Sequence, residues 1–103
     1  MSKKTYIFML TDTDRKRHEH ITEHGKVTGF AVQYEIFIEN KWMPVVRYDT
    51  AHGLAHKDLL NFDGSKEKIF LGEADFNEAL TLADTDINEN WVRYKERYLR
   101  RIK

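Results

Sequence analysis

Cysteine is absent from the chain, so disulfide bridges, thiolate nucleophiles and Cys-ligated zinc are all excluded. Net charge is absent too: 17 Lys and Arg balance 17 Asp and Glu, and no overall field draws the protein to nucleic acid or an anionic membrane. Any such binding has to rest on a local patch. Pro44 is the only proline, and there is no repeat, low-complexity tract or Pro/Gly-rich linker, so the chain reads as one domain over residues 1–103. That length builds one hydrophobic core and excludes a pairing of substrate and cofactor domains. Long apolar runs are missing as well. Met1-Ser2-Lys3-Lys4 is followed by only about six apolar or neutral residues, short of a signal-peptide core or a membrane span. A cytoplasmic protein with no membrane partner is the expectation.

What the chain does have is charge and aromatic surface, at 33% and 13% of residues, which separates it from disordered sequences. Thr5 to Leu10 is a short apolar run, an edge strand or a segment that packs on a sheet. Arg17 to Glu23 holds one large apolar residue, Ile21, and reads as a polar strand turned by His24-Gly25-Lys26. From Val27 to Ile38 the period is two: Phe30, Val32, Tyr34, Ile36 and Ile38 share one face, and Ala31, Gln33 and Glu35 the other. Trp42 to Asp49, Ala55 to Phe62 and Lys66 to Leu71 continue an antiparallel meander, with a strong hairpin signal at Asp63-Gly64. Asp75 to Glu78 has the form of a capping box. It opens a long helix whose apolar stripe runs through Phe76, Leu80, Ala83, Ile87, Trp91, Tyr94, Tyr98 and Ile102. The predicted fold class is α+β: a meander of about five strands under one long C-terminal helix.

Chemistry concentrates between Arg47 and Asp58, where one Arg, the carboxylates of Asp49 and Asp58 and the imidazoles of His52 and His56 surround Gly53. A two-residue loop at His52-Gly53 sets Arg47 opposite Asp58, Asp49 opposite His56, Val45 opposite Leu60 and Met43 opposite Phe62. Directly opposed side chains have Cβ atoms roughly 4.5–5.5 Å apart, within reach of hydrogen bonding. Turns at Asn40-Lys41 and Gly25-Lys26 would add Tyr34, Arg17 and Glu19, placing the whole cluster at one end of the apolar face. A slip of one residue in any turn reverses that facing.

Two roles fit such a cluster. In the catalytic one, His56 is a general acid/base, Asp49 fixes its tautomer, Arg47 stabilises developing negative charge as the phosphate or transition-state contact, Asp58 completes the charge pattern, and Tyr34, His52 and Arg17 contact the ligand. In the structural one, the same pairs form an ion lattice that pins strand register. Asp49, His52 and His56 are a weak metal pattern without helical spacing, and no metal or cofactor is expected. His18, His20 and His24 read as a solvated polar edge. The basic end of the helix, Arg93, Lys95, Arg97, Arg100, Arg101 and Lys103, either grips phosphate or complements the helix dipole, and Glu78, Asp84, Asp86 and Glu89 complement the other end.

The run Trp42 to Leu60, with Asp63-Gly64, Glu78-Ala79-Leu80-Thr81-Leu82-Ala83 and Asn88-Glu89-Asn90-Trp91, resembles a family of short, functionally uncharacterised prokaryotic proteins. They share a V-V-R-Y-D-T-A-H-G-x-x-H-x-D core and an E-A-L-T-x-A helix start. The resemblance covers roughly Val27 to Tyr98 and implies no activity. More distantly, Tyr48, Asp49, Gly53 and His56 are similar to a motif of small TumE-like toxins, which sit beside antitoxin partners; this chain is less basic than a typical RNA-cleaving toxin. The leading expectation is a small toxin-like protein acting on RNA or nucleotides, with an antitoxin as protein partner. Its rival is a non-enzymatic interaction module, homodimeric, whose cluster only organises the sheet.

Overall fold

The structure, a computed structural model, describes residues 1–72 and 75–100, apart from the side chain of His52. Six strands form one antiparallel sheet in chain order: β1 (Ser2–Thr11), β2 (Asp14–Glu23), β3 (Lys26–Ile38), β4 (Lys41–Asp49), β5 (His56–Leu60) and β6 (Lys66–Phe70). Among the described residues one α-helix, α1 (Phe76–Arg100), packs across β3 and β4. The α+β meander is therefore as expected, with one strand more than the predicted five because the Thr5 to Leu10 segment is a full edge strand. No helix among the described residues is long and apolar enough to cross a membrane.

The period-two pattern of β3 decides where the core lies. Phe30, Val32, Tyr34 and Ile36 are buried under α1, against Ala79, Ala83, Ile87 and Tyr98. Two alanines at the contact let the helix backbone approach the sheet, and Trp91 leans on Tyr34 with ring centroids 5.9 Å apart. Burying a side chain such as Ile87 completely contributes roughly 1.5–3 kcal/mol. Asp75 caps the helix by accepting the Asn77 N–H at 2.6 Å, one position earlier than the capping-box pattern places it. The expected helix positions Arg101, Ile102 and Lys103 lie outside the described residues.

Two turns fall one residue earlier than expected. His24 and Gly25 both have positive φ, as do Glu39 and Asn40, the requirement of type I′ hairpins. The hairpins accordingly close as Glu23↔Lys26 and Ile38↔Lys41. Each pair then carries a bulge that recovers one residue, Thr28 in β3 and Val45 in β4. The second bulge directly follows Pro44, which has no N–H to give to the ladder. The net slip of one residue sets Gln33, not Tyr34, beside both Arg17 and Arg47.

Candidate functional site

That slip moves the polar cluster to the other side of the sheet. Arg17, Glu19, Ala31, Gln33, Arg47, Asp49, His56 and Asp58 share the face away from α1, and Tyr34 is fully buried beneath the helix. The expectation that the cluster ends the apolar face is corrected on this point, and so is Tyr34's membership of it. The other members stay together because β2 and β4 slipped by the same amount against β3.

The β4–β5 register is the predicted one, Arg47↔Asp58 and Asp49↔His56. Its loop is not the two-residue turn proposed: the ladder stops at Asp49/His56, and Ala51–Gly53 forms a 3₁₀ turn closed by Gly53 N–H donating to Thr50 O. The ladder begins at Val46/Leu59, so the expected Val45/Leu60 and Met43/Phe62 pairs are not part of it. Bulging at Val45 removes that residue from the register.

Side chains then sort differently from backbones. Asp49 is the centre: its Oδ1 lies 2.6 Å from His56 Nε2 and accepts from the Ala51 N–H at 3.2 Å, and its Oδ2 accepts from Arg47 Nε at 2.6 Å. Arg47 Nη1 also donates to Gln33 Oε1 at 3.2 Å, Gln33 donates to Glu35, and Glu35 accepts from Arg15 Nε at 2.6 Å. Arg47 spends its bonds on Asp49 and Gln33, so the expected Arg47–Asp58 ion pair does not form. Burial alone would raise the Asp49 pKa, but the hydrogen bonds from Arg47 and the Ala51 N–H, with the charges of Arg47 and His56, outweigh it and hold the carboxyl below its usual range.

His56 is almost wholly buried, and its Nδ1 faces the Leu54 carbonyl at 3.2 Å while Nε2 faces Asp49. The carbonyl and the carboxylate fix the orientation of the ring from its two sides. Phe70 covers it edge-on, ring centroids 6.4 Å apart.

Two adjoining depressions, about 270 and 160 Å³, run across this face and share Glu19, Ala31 and Arg47. Gly29 and Ala31 make the floor low, and long side chains from β2 and β4 make the walls. Charge is distributed unequally within the ion pairs here: the side chains of Arg17 and Arg47 are 54% and 42% exposed, those of their partners Glu35 and Asp49 only 4% and 12%. The cations reach solvent and the anions do not. Glu19, paired with Lys3 at 2.9 Å, is the exposed acid on the rim.

Under the helix lies a second polar system that the pattern of apolar positions did not reveal. Asp14 accepts from Tyr34 Oη at 2.6 Å, from Lys95 Nζ at 3.2 Å and from Thr11. Lys16 bridges to Asp84 and Asn88 at 3.0 and 2.9 Å, and Asp86 accepts from Tyr48 at 2.6 Å, from Asn90 at 2.9 Å and from Tyr94. Burial alone would raise the carboxyl pKa values of Asp14 and Asp86; these hydrogen bonds, with the charges of Lys95 and Lys57, lower both below the ordinary value. Tyr34 and Tyr48 shift upward through burial and then through the carboxylates they bond.

The histidine edge is likewise corrected: His18 is buried, stacked on Tyr6 at 4.5 Å and bonded to His20 at 2.7 Å. Burial lowers its pKa, against the opposing pull of Asp84. Lys95 turns inward to Asp14 and Arg97 to the Leu60 carbonyl at 3.5 Å, so neither is offered to phosphate. His52 sits in the 3₁₀ turn, and its side chain lies outside the described residues.

The family comparison covers the whole molecule: the model of a domain of unknown function, DUF7718, matches residues 1–103. The chain belongs to that family. No curated protein and no solved structure matches it.

Proposed function

We propose that this member of the DUF7718 family is a cytoplasmic interaction module that docks an acidic segment of a protein partner on the open face of its sheet. One observation carries the reading: in the ion pairs of that face the carboxylates of Glu35 and Asp49 are covered while Arg17 and Arg47 reach solvent, flanking Gln33 beside a groove floored by Gly29 and Ala31. Asp49 and His56 then act as scaffold, holding the Arg47 guanidinium over the groove. A nucleic-acid strand fits less well, because the acid Glu19 stands on the rim, where it repels phosphate, and the ring of Phe30 is buried under α1 and offers no stacking surface to the groove. The test is binding of an extended glutamate-rich peptide and of a single-stranded oligoribonucleotide to the wild type and to Arg17→Ala/Arg47→Ala. Peptide binding lost in the double variant supports the reading; binding of RNA alone, or of neither, overturns it.

The toxin-like reading keeps one observation in its favour: Arg47 Nε and His56 Nε2 each stand 2.6 Å from an oxygen of Asp49, beside a groove. In it, His56 is the acid/base, Asp49 its orienting partner, Arg47 the phosphate contact, and an antitoxin the partner. Burial of the ring and its cover by Phe70 weigh against it. Loss of an RNA-cleaving activity in a folded His56→Gln variant would establish it.

The module is also proposed to be a homodimer through β1. This edge strand exposes Tyr6, Ile7, Phe8 and Met9 in succession, and exposed apolar edges template strand pairing. A two-fold axis at Ile7 pairs Tyr6 with Phe8 and Lys4 with Leu10 of the second copy, so no like charges oppose each other.

A further inference from the structure

We propose that Asp49, His56 and Asp58 bind one divalent transition-metal ion, a site that goes beyond the docking role of the neighbouring groove. Each residue offers a ligand atom, all three are buried, and these atoms lie within 4.8 Å of one another. The ligands sit on two adjacent strands in fixed register, so their spacing is set by the ladder and not by a mobile loop.

A second observation points to a cation independently of that cluster. Asp58 is only 4% exposed, and its Oδ1 has no hydrogen-bond partner among the described residues. Among the described residues the basic group paired with the carboxylate is Lys66, whose Nζ stands 3.8 Å from Oδ2. Leaving a buried carboxylate oxygen bare is costly, and a cation supplied from solution removes the cost.

His56 is already oriented for the task. Metal-bound imidazoles characteristically donate their second ring N–H to a carbonyl or carboxylate, and His56 Nδ1 meets the Leu54 carbonyl in this way. Its Nε2 consequently faces the carboxylates. In the bound state the Nε2 lone pair and one oxygen each of Asp49 and Asp58 would coordinate the ion, any proton on Nε2 being released to solvent, and Arg47 would keep Asp49 Oδ2 as an outer contact. Two carboxylates neutralise the divalent charge. One nitrogen and two oxygens suit Mn²⁺, Fe²⁺, Co²⁺ or Zn²⁺, whereas Ca²⁺ wants six to eight oxygens. Three protein ligands leave positions open, and Asp49 lines the groove through which an ion would enter.

The test is calorimetric titration of the full chain, stripped with chelator, with Mn²⁺ and with Zn²⁺, using Ca²⁺ as control. One saturable equivalent of Mn²⁺ or Zn²⁺ is expected, weakened at least ~10–100-fold in Asp58→Asn, unchanged in His20→Ala/His24→Ala, and absent for Ca²⁺. Should Asp58→Asn fail to fold, Mn²⁺-induced broadening of wild-type amide resonances reads the location directly. Broadening centred on Asp49, His56 and Asp58 supports the site. No saturable binding, affinity unchanged in folded Asp58→Asn, or broadening centred on His20 overturns it.

Discussion

Asp86 shows how much of this molecule is held by single polar atoms. Its carboxylate gathers Tyr48, Tyr94 and Asn90 between helix and sheet, and a hydrogen bond to a charged group contributes roughly 1.5–3 kcal/mol. Tyr48→Phe should therefore lower the unfolding free energy by about that amount in a urea titration, with the slope unchanged. The sign of the pH dependence follows from the lowered carboxyl pKa values of Asp14 and Asp86. A carboxyl whose folded value lies below its unfolded one stabilises fully above the unfolded value, 3.8, and the benefit is lost as pH falls toward the folded value. Melting temperature should begin to fall as pH drops below about 6.5, where His18 takes up a proton more readily unfolded than folded, and fall further below about pH 4, and Asp86→Asn should start lower and lose less in the second step. Sequence reading gave Asp84 and Asp86 only to the helix dipole. Their partners Lys16 and Tyr48 are remote in the chain, and no local spacing connects them.

At the level of elements, five strands and the helix were legible, because periods of two and of 3.6 survive any error in the turns, whereas Thr5 to Leu10 stayed open between edge strand and packed segment and the polar Asp14 to Lys16 start of β2 reads as a turn. What the turns hid was the facing. His24 and Glu39 take positive φ, a conformation that sequence reading assigns to Gly or Asn, so both hairpins were placed one residue late. Ala31, Gln33 and Glu35 already formed a recognisable second face on β3, and that face is the one carrying the site. Relieving the left-handed strain should help: Glu39→Asn is expected to raise stability by up to about 1 kcal/mol, measured by thermal or urea denaturation. Ile87→Ala, at the centre of the helix contact, should cost about 2–5 kcal/mol in the same assay.

For the molecule as a whole, one helix covers the middle of a sheet six strands wide and leaves one face and two edges open. The β1 edge predicts self-association: the wild type should sediment as a dimer at micromolar concentration, and Ile7→Lys, which would oppose two cations at the axis, as a folded monomer. A wild type that stays monomeric removes the dimer and leaves the groove untouched. The central claim concerns the open face, and an amide-resolved NMR titration with the glutamate-rich peptide tests it most directly. Saturating shifts at Gly29, Ala31, Gln33, Arg47 and Asp49 are predicted, and they should vanish in Arg17→Ala/Arg47→Ala. Shifts confined to α1, or no shifts at any peptide concentration, would contradict the account.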